Sequence, residues 1–188
     1  DLNLLDPISY YIPEYGVNGK RRATLFHLLS HRGGIPRIDG EITPELLFDE
    51  KEILKRLCAA KPVSPSGTHL AYHAVTAGYI LGEVIKRVTG QSVREYLAEH
   101  IEKPMGLDYF NYGLKPEYRA DVAMNYATGM HPSLGTDRYL KHVLGAGLQT
   151  AVDITNDTRF MDIICPAGNI YTSAEQSGRF FEMLLSGG

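Results

Sequence analysis

Apolar residues recur along this chain at helical rather than strand spacing, in separated bursts. The clearest burst predicts a helix over residues 75–89. Ala77, Ile80, Leu81, Val84, Ile85 and Val88 fall on one broad stripe, and Gly90 follows where a left-handed cap would end the helix. A stripe that wide marks a central helix. A second run, over 52–60, turns Ile53, Leu54, Leu57 and Cys58 to one side. Ahead of it, Thr43-Pro44-Glu45 combines a cap, a proline suited to the first helical position and an acidic first turn, which predicts a helix as far as Leu47 or Phe48. Thr24 is the expected cap of a helix over 25–31, with Leu25, Leu28 and Leu29 on one face and Gly33-Gly34 ending it.

Ser92 with Glu95, and Ser173 with Gln176, carry the spacing of a capping box. The first predicts a helix through Tyr96, Leu97 and Ile101 to Pro104, the second a helix bearing Phe180, Phe181, Leu184 and Leu185. Between them, residues 107–166 show little periodicity. Short strands are expected around 108–113 and 121–127, joined by long connections. Residues 6–15 predict an irregular segment or a single helical turn, and 62–67 a loop, since its prolines and glycine break any regular element. The class is therefore α+β: one partial domain with a mostly α-helical lobe over about 20–106, then an irregular return and final helix over about 107–188. No internal repeat is present.

Composition narrows the function classes. With 44% hydrophobic and 22% charged residues the chain reads as an ordinary globular protein, and a net charge of -3 gives no basic excess for nucleic acid. Lys20-Arg21-Arg22, Lys55-Arg56 and Lys86-Arg87 read as solvated surface. Cys58 and Cys165 form no CxxC, so neither a disulfide framework nor a zinc knuckle is expected; a reducing compartment fits, and the cytoplasm is favoured with location otherwise open. No apolar run reaches the eighteen or so residues of a membrane span. The opening residues carry no initiator methionine and no signal-peptide pattern, and the chain is expected to be an internal piece of a longer protein.

The candidate chemistry sits ahead of the central helix. Gly67-Thr68-His69-Leu70-Ala71-Tyr72-His73-Ala74 reads as a loop delivering one tyrosine to a helix start, where unsatisfied N–H groups and a partial positive charge favour a phenol acting in acid/base chemistry. The other account of Tyr72 is an amphipathic aromatic capping the core. His27/His31 and His69/His73 are HxxxH pairs, but neither carries the glutamate of HExxH, and no metal site is expected. No GxSxG, GxxxxGK[ST] or dinucleotide fingerprint occurs, and no cofactor is expected.

Five segments together resemble one family. Leu25-Phe26-His27-Leu28-Leu29-Ser30-His31-Arg32-Gly33-Gly34-Ile35-Pro36 is similar to the "hLLtHtsGlP" segment of the serine beta-lactamase-like superfamily, which holds class C beta-lactamases, DD-peptidases and related carboxylesterases. Tyr72-His73-Ala74 resembles its Tyr-x-Asn motif, and the run from Gly78 to Gly90 the helix behind it. Pro104-Met105-Gly106-Leu107 is similar to its "PLGM" turn, and the stretch Pro166-Ala167-Gly168-Asn169-Ile170-Tyr171-Thr172-Ser173-Ala174 to its "PaGGlysTa" segment. All five stand in family order and cover most of the chain.

The resemblance implies a beta-lactamase/transpeptidase-like fold and a serine hydrolase working through an acyl-enzyme. It also implies a Ser-x-x-Lys nucleophile motif and a Lys-Thr-Gly or His-x-Gly strand, neither of which occurs here; none of the eight lysines has serine or threonine three residues before it. Cys58-Ala59-Ala60-Lys61 is the nearest mimic and reads as structural. In the family, lysines of those two motifs stand beside the tyrosine. One cation about 4 Å from a phenol at an effective dielectric near 20 supplies roughly 4 kcal/mol, enough to bring a phenolate within reach of neutral pH. By this reading Tyr72 is the catalytic residue, and the 188 residues alone are expected to be inactive. His73 and Ala74 are the expected substrate-binding residues, although His73 reads equally well as a partly exposed loop histidine. Ala74 stands where the family carries an asparagine expected to bind a beta-lactam side chain, so a small ester or amide is the expected substrate. The alternative is a non-catalytic scaffold or binding lobe of an inactive relative. Self-association through an apolar face exposed by truncation is a further expectation.

Overall fold

The computed structural model describes residues 2–38, 43–73, 75–129, 133–144 and 146–188, apart from the side chains at 44, 137, 140 and 142–144. Among them run helices α1 (Ile8–Tyr11), α2 (Leu25–Leu29), α3 (Glu50–Ala59), α4 (Thr76–Thr89) and α5 (Val93–Leu97). After these come α6 (Leu134–Leu144), α7 (Leu148–Asn156), α8 (Thr158–Asp162) and α9 (Ala174–Leu185). Strands β1 (Phe110–Tyr112) and β2 (Ile170–Thr172) pair antiparallel, with Phe110 opposite Thr172 and Tyr112 opposite Ile170. The α+β expectation, a mostly helical body with short strands, holds.

The core gathers around α4. Ala77, Tyr79, Ile80 and Val84 pack in one cluster with Ile8, Ile12 and Tyr15 from the chain start, Leu25 and Leu28 from α2, and Ile53 and Leu57 from α3. Phe160 and Cys165 join that cluster from the far end of the sequence. A fully buried side chain of this kind contributes roughly 1.5–3 kcal/mol, which outweighs the ~1 kcal/mol that each glycine inside a helix costs. So α4 tolerates Gly78 and Gly82, and both have a use. A Cβ at Gly78 would lie 2.9 Å from the Ala167 nitrogen, and one at Gly82 would lie 3.4 Å from the Pro166 ring. The bare face of α4 lets the 165–168 turn settle against it.

Local signals set most helix ends. Gly90 closes α4 at φ 77 with its N–H on the Lys86 carbonyl. Ser92 accepts from Glu95 N at 3.2 Å while the Glu95 carboxylate accepts from Ser92 N at 2.7 Å, a complete capping box. At Ser173 only half of the box forms. Its hydroxyl accepts from Gln176 N, but the Gln176 side chain donates to Asp108 and accepts from Tyr109 N, tying α9 to the approach of β1.

Several expectations are corrected. The stripe of α4 is shifted: Val88 is 41% exposed, whereas Tyr79 lies in the core, where burial pushes its phenol well above the ordinary range. The helix after Ser92 does not run as one α-helix to Pro104 but passes into a π turn over Ala98–Glu102. Pro44–Phe48 is a 3-10 rather than an α-helix, and the run after it begins at Glu50, where the Asp49 side chain accepts from Glu52 N. No strand forms over 121–127. Asn125 N donates to the Asn156 side chain, which donates back to the Asn125 carbonyl, so the groups a neighbouring strand would need are already used. The stretch expected to hold long connections contains α6, α7 and α8, the last two only nine and five residues long and too short to show a sustained apolar period. Lys20 is not solvated surface: it is 0% exposed. On α9, Phe181, Leu184 and Leu185 are exposed. Among the described residues no helix is long and apolar enough to cross a membrane.

Candidate active site

Tyr72 stands four residues ahead of α4, on a segment with no regular structure of its own. What fixes that segment is a second irregular stretch, His31 to Ile35, which follows α2. The start of α2 is set by Thr24, whose hydroxyl accepts from His27 N while His27 Nδ1 accepts from Thr24 N, both at 3.2 Å. The helix stops at Leu29, and His31 reverses the chain at φ 57, in the left-handed region where histidine is among the better-tolerated residues. The reversal comes two residues before the glycine pair.

From there the two stretches are sewn together. Val63 N donates to Gly34 O, Gly67 N to Arg32 O and Ala71 N to His31 O, each at 2.9 Å. Side chains add the Ser66 hydroxyl on Gly33 O at 3.1 Å and the buried Thr76 hydroxyl on Ile35 O at 2.6 Å. The glycines are required by closeness. At Gly34, φ is +85 and a Cβ would stand 2.5 Å from Ser64 O; at Gly33 it would press on the His73 ring at 3.2 Å.

His73 is the keystone of this joint. It is 2% exposed, and both ring nitrogens are engaged by main chain. Nε2 faces the Ile35 N–H at 3.1 Å and must accept; Nδ1 faces the Ala71 carbonyl at 2.5 Å and must donate. The partners therefore assign the neutral Nδ1–H tautomer. Burial, opposed by the Ala71 carbonyl and assisted by His31, holds the imidazole below the ordinary histidine range. The sequence places His73 either in the substrate cleft or half in solvent. The structure buries it and leaves no ring nitrogen free.

Tyr72 points the other way. It is 61% exposed, and its ring meets His31 edge-on at 4.8 Å between centroids, while His31 Nδ1 accepts from His73 N at 3.2 Å. Beyond the tyrosine opens a cavity of about 270 Å³, walled by Leu47, Val75, Ala151, Ile154, Phe160 and Cys165, with Thr43 and Thr150 as polar points. Its far wall is the turn that Gly78 and Gly82 admit. Asn169 knits that turn: its carbonyl accepts from Cys165 N at 2.8 Å and its amide donates to Phe160 O and Ile163 O, both at 2.9 Å. Larger hollows of about 510 and 620 Å³ lie near Tyr118 and near Glu14, away from Tyr72. Cys165 in the cavity wall is a buried free thiol, and burial pushes it up from the ordinary thiol range, away from a reactive thiolate.

Ala74 lies outside the described residues. The other histidines of the two pairs are engaged locally: His27 caps α2, His31 meets the Tyr72 ring and His69 contacts the Thr68 hydroxyl. Among the described residues no three His, Cys, Asp or Glu side chains come together as a metal site. Sequence reasoning missed His31, Thr76 and Asn169. The signal for His31 and Asn169 was present in the two matched segments, as polar residues inside otherwise apolar or glycine-rich motifs.

The beta-lactamase family model matches residues 1–188. The esterase/beta-lactamase LipL of Mycobacterium tuberculosis is 26% identical over 205 residues, a match that covers 100% of this chain and 47% of that protein. Among solved structures, a family VIII carboxylesterase superposes with a TM-score of 0.85 at 28% identity, and a penicillin-binding protein homologue from Caulobacter crescentus with 0.78 at 25%. Each alignment covers 100% of this chain and 50% of the other. The chain thus spans about half the length of these relatives.

Proposed function

The chain belongs to the beta-lactamase family, and from that premise we propose that the whole protein is a serine hydrolase of small esters or amides, with Tyr72 as its proton-transfer residue. The observation that carries the reading is the placement of Tyr72: an exposed phenol on a rigid loop at the mouth of a mostly apolar cavity. In the reaction, a serine supplied by a Ser-x-x-Lys motif, absent from these 188 residues, gives its proton to Tyr72 held as a phenolate beside that motif's lysine, and attacks the carbonyl carbon. The tetrahedral adduct collapses to an acyl-enzyme, and the departing alcohol or amine takes the proton back. Water, deprotonated in the same way, then releases the acid. The apolar walls suit the hydrocarbon part of an ester, which is consistent with the esterase names among the relatives.

The test is turnover of a chromogenic short-chain ester by the full-length protein and its Tyr72→Phe variant. A positioned acid/base group contributes about 100- to 10,000-fold. We expect a loss of kcat in that range; equal rates would remove Tyr72 from the chemistry. The 188 residues by themselves should show no turnover in the same assay.

A further inference from the structure

The joint behind Tyr72 contains two imidazoles that the proposed chemistry does not use. His73 reaches the loop after α2 through Ile35 N and its own segment through Ala71 O, so one buried ring spans the two irregular stretches. His31 receives the His73 N–H on Nδ1 and lays its ring against Tyr72, and the two imidazoles stack at 6.1 Å with 26° between planes. The chain from Ile35 through His73 and His31 to Tyr72 is thus continuous in contacts. Among the described residues the Tyr72 hydroxyl has no hydrogen-bond partner, so the ring face is where the tyrosine is held.

We propose that His73 and His31 are a pair of positioning residues that fix the Tyr72 ring, and that the pair holds only while His73 is neutral. The proposal rests on Tyr72 as the proton-transfer residue. An imidazolium at 73 would carry protons on both nitrogens and set Nε2–H against the Ile35 N–H, donor against donor. The titratable or charged side chains on the elements around His73 are His27, His31, Arg32 and Arg37 on α2 and the stretch after it, and His69 and Tyr72 on its own segment. The first three residues of α4 add none. His31 is the neighbour whose field acts on His73, and it opposes a charge there, in the same direction as burial. The sign follows. A folded-state value below that of the unfolded chain means the joint's contribution to stability is full above about pH 6.5 and is lost as the pH falls from there through the lowered folded value, where the ring itself takes up its proton.

Three variants of the full-length protein test this, each read by ester kinetics and by amide hydrogen exchange at Ile35 across pH. His73→Leu removes both ring bonds and should lower kcat at least about tenfold, with KM changed much less and Ile35 protection gone. His73→Gln offers an amide oxygen to Ile35 and an amide N–H to Ala71 and does not titrate; it should recover most of kcat, keep Ile35 protected and abolish the acid-side loss of protection. His31→Asn keeps a left-handed-tolerant residue and an acceptor for His73 N but deletes the ring against Tyr72. It should lower kcat several-fold with Ile35 protection intact, and it serves if His73→Leu fails to fold. Unchanged Ile35 protection in His73→Leu, no recovery in His73→Gln, or full kcat in His31→Asn would overturn the proposal. If Tyr72→Phe keeps the parent rate, the reading of Tyr72 fails by itself, and Ile35 exchange still shows whether the joint exists.

Discussion

Two regions flank the cavity, and they are built on opposite terms. The joint of 31–35 with 62–76 is held by buried polar groups reaching across some forty residues: His73 to Ile35, Thr76 to Ile35 and, just behind, Lys20 to the end of α3. Among the described residues of 115–162 the polar ties are mostly exposed, such as Arg159 on Asp157, Arg119 on Asp162 and the Asn125–Asn156 exchange. A polar bond in a dry place constrains strongly because breaking it strands its partner. A solvated one is replaced by water at little cost. The proposed proton-transfer residue sits on the first kind of region, which has no secondary structure and yet little freedom.

The sharpest way to break this contrast is Gly34→Ala. A left-handed φ costs a side chain ~1–2 kcal/mol, and the Cβ would meet Ser64 O at 2.5 Å, so backbone must move. We expect about 3 kcal/mol or more of destabilisation in urea unfolding. Next comes Lys20→Met. The ammonium donates to Cys58 O at 2.9 Å and to Ala60 O, satisfying carbonyls at the end of α3, and lies 5.2 Å from the Tyr15 ring centre. Burial holds its own titration below the ordinary lysine range, so the charge is kept at some cost. Methionine relieves that cost but strands two buried carbonyls, for a net loss of roughly 2 kcal/mol. Asn169→Ala probes a buried polar knot just past the second region, on Phe160 O, Ile163 O and Cys165 N, and should lose about 2 kcal/mol, since three main-chain groups lose their partner. Arg159→Ala closes the series: its ion pair is exposed and its guanidinium lies 4.6 Å from the Phe48 ring centre, so only a small shift of the unfolding midpoint, below that of Asn169→Ala, is expected. An Arg159 effect equal to that of Asn169 would void the contrast.

How much of this was legible follows from the same distances. The caps at Thr24 and Ser92 and the left-handed stop at Gly90 were readable because each partner lies within four residues. The sides of α3 and α4 were readable because a core makes a stripe, and Tyr72 stood out through the segments around it. His73 reads from the sequence as lining the cleft or as partly exposed, and its burial was not legible, since nothing near position 73 announces that Ile35 N will meet its ring. Lys20 was misread for the same reason, being one of three adjacent basic residues of which only it turns inward to the end of α3. The missing strand at 121–127 was hidden because its residues are mostly exposed, and α7 and α8 because nine and five residues are too few to show a sustained apolar period.

The sequence by itself determined where helices begin and end, which faces of α3 and α4 are apolar, and which tyrosine a catalytic reading must consider. Only the tertiary structure decided that both ring nitrogens of His73 meet main chain, that Lys20 is interior and that a cavity opens beside Tyr72. Capping and amphipathicity are set by neighbours a turn away, whereas the solvation and protonation of a polar side chain depend on whichever distant main chain folds over it.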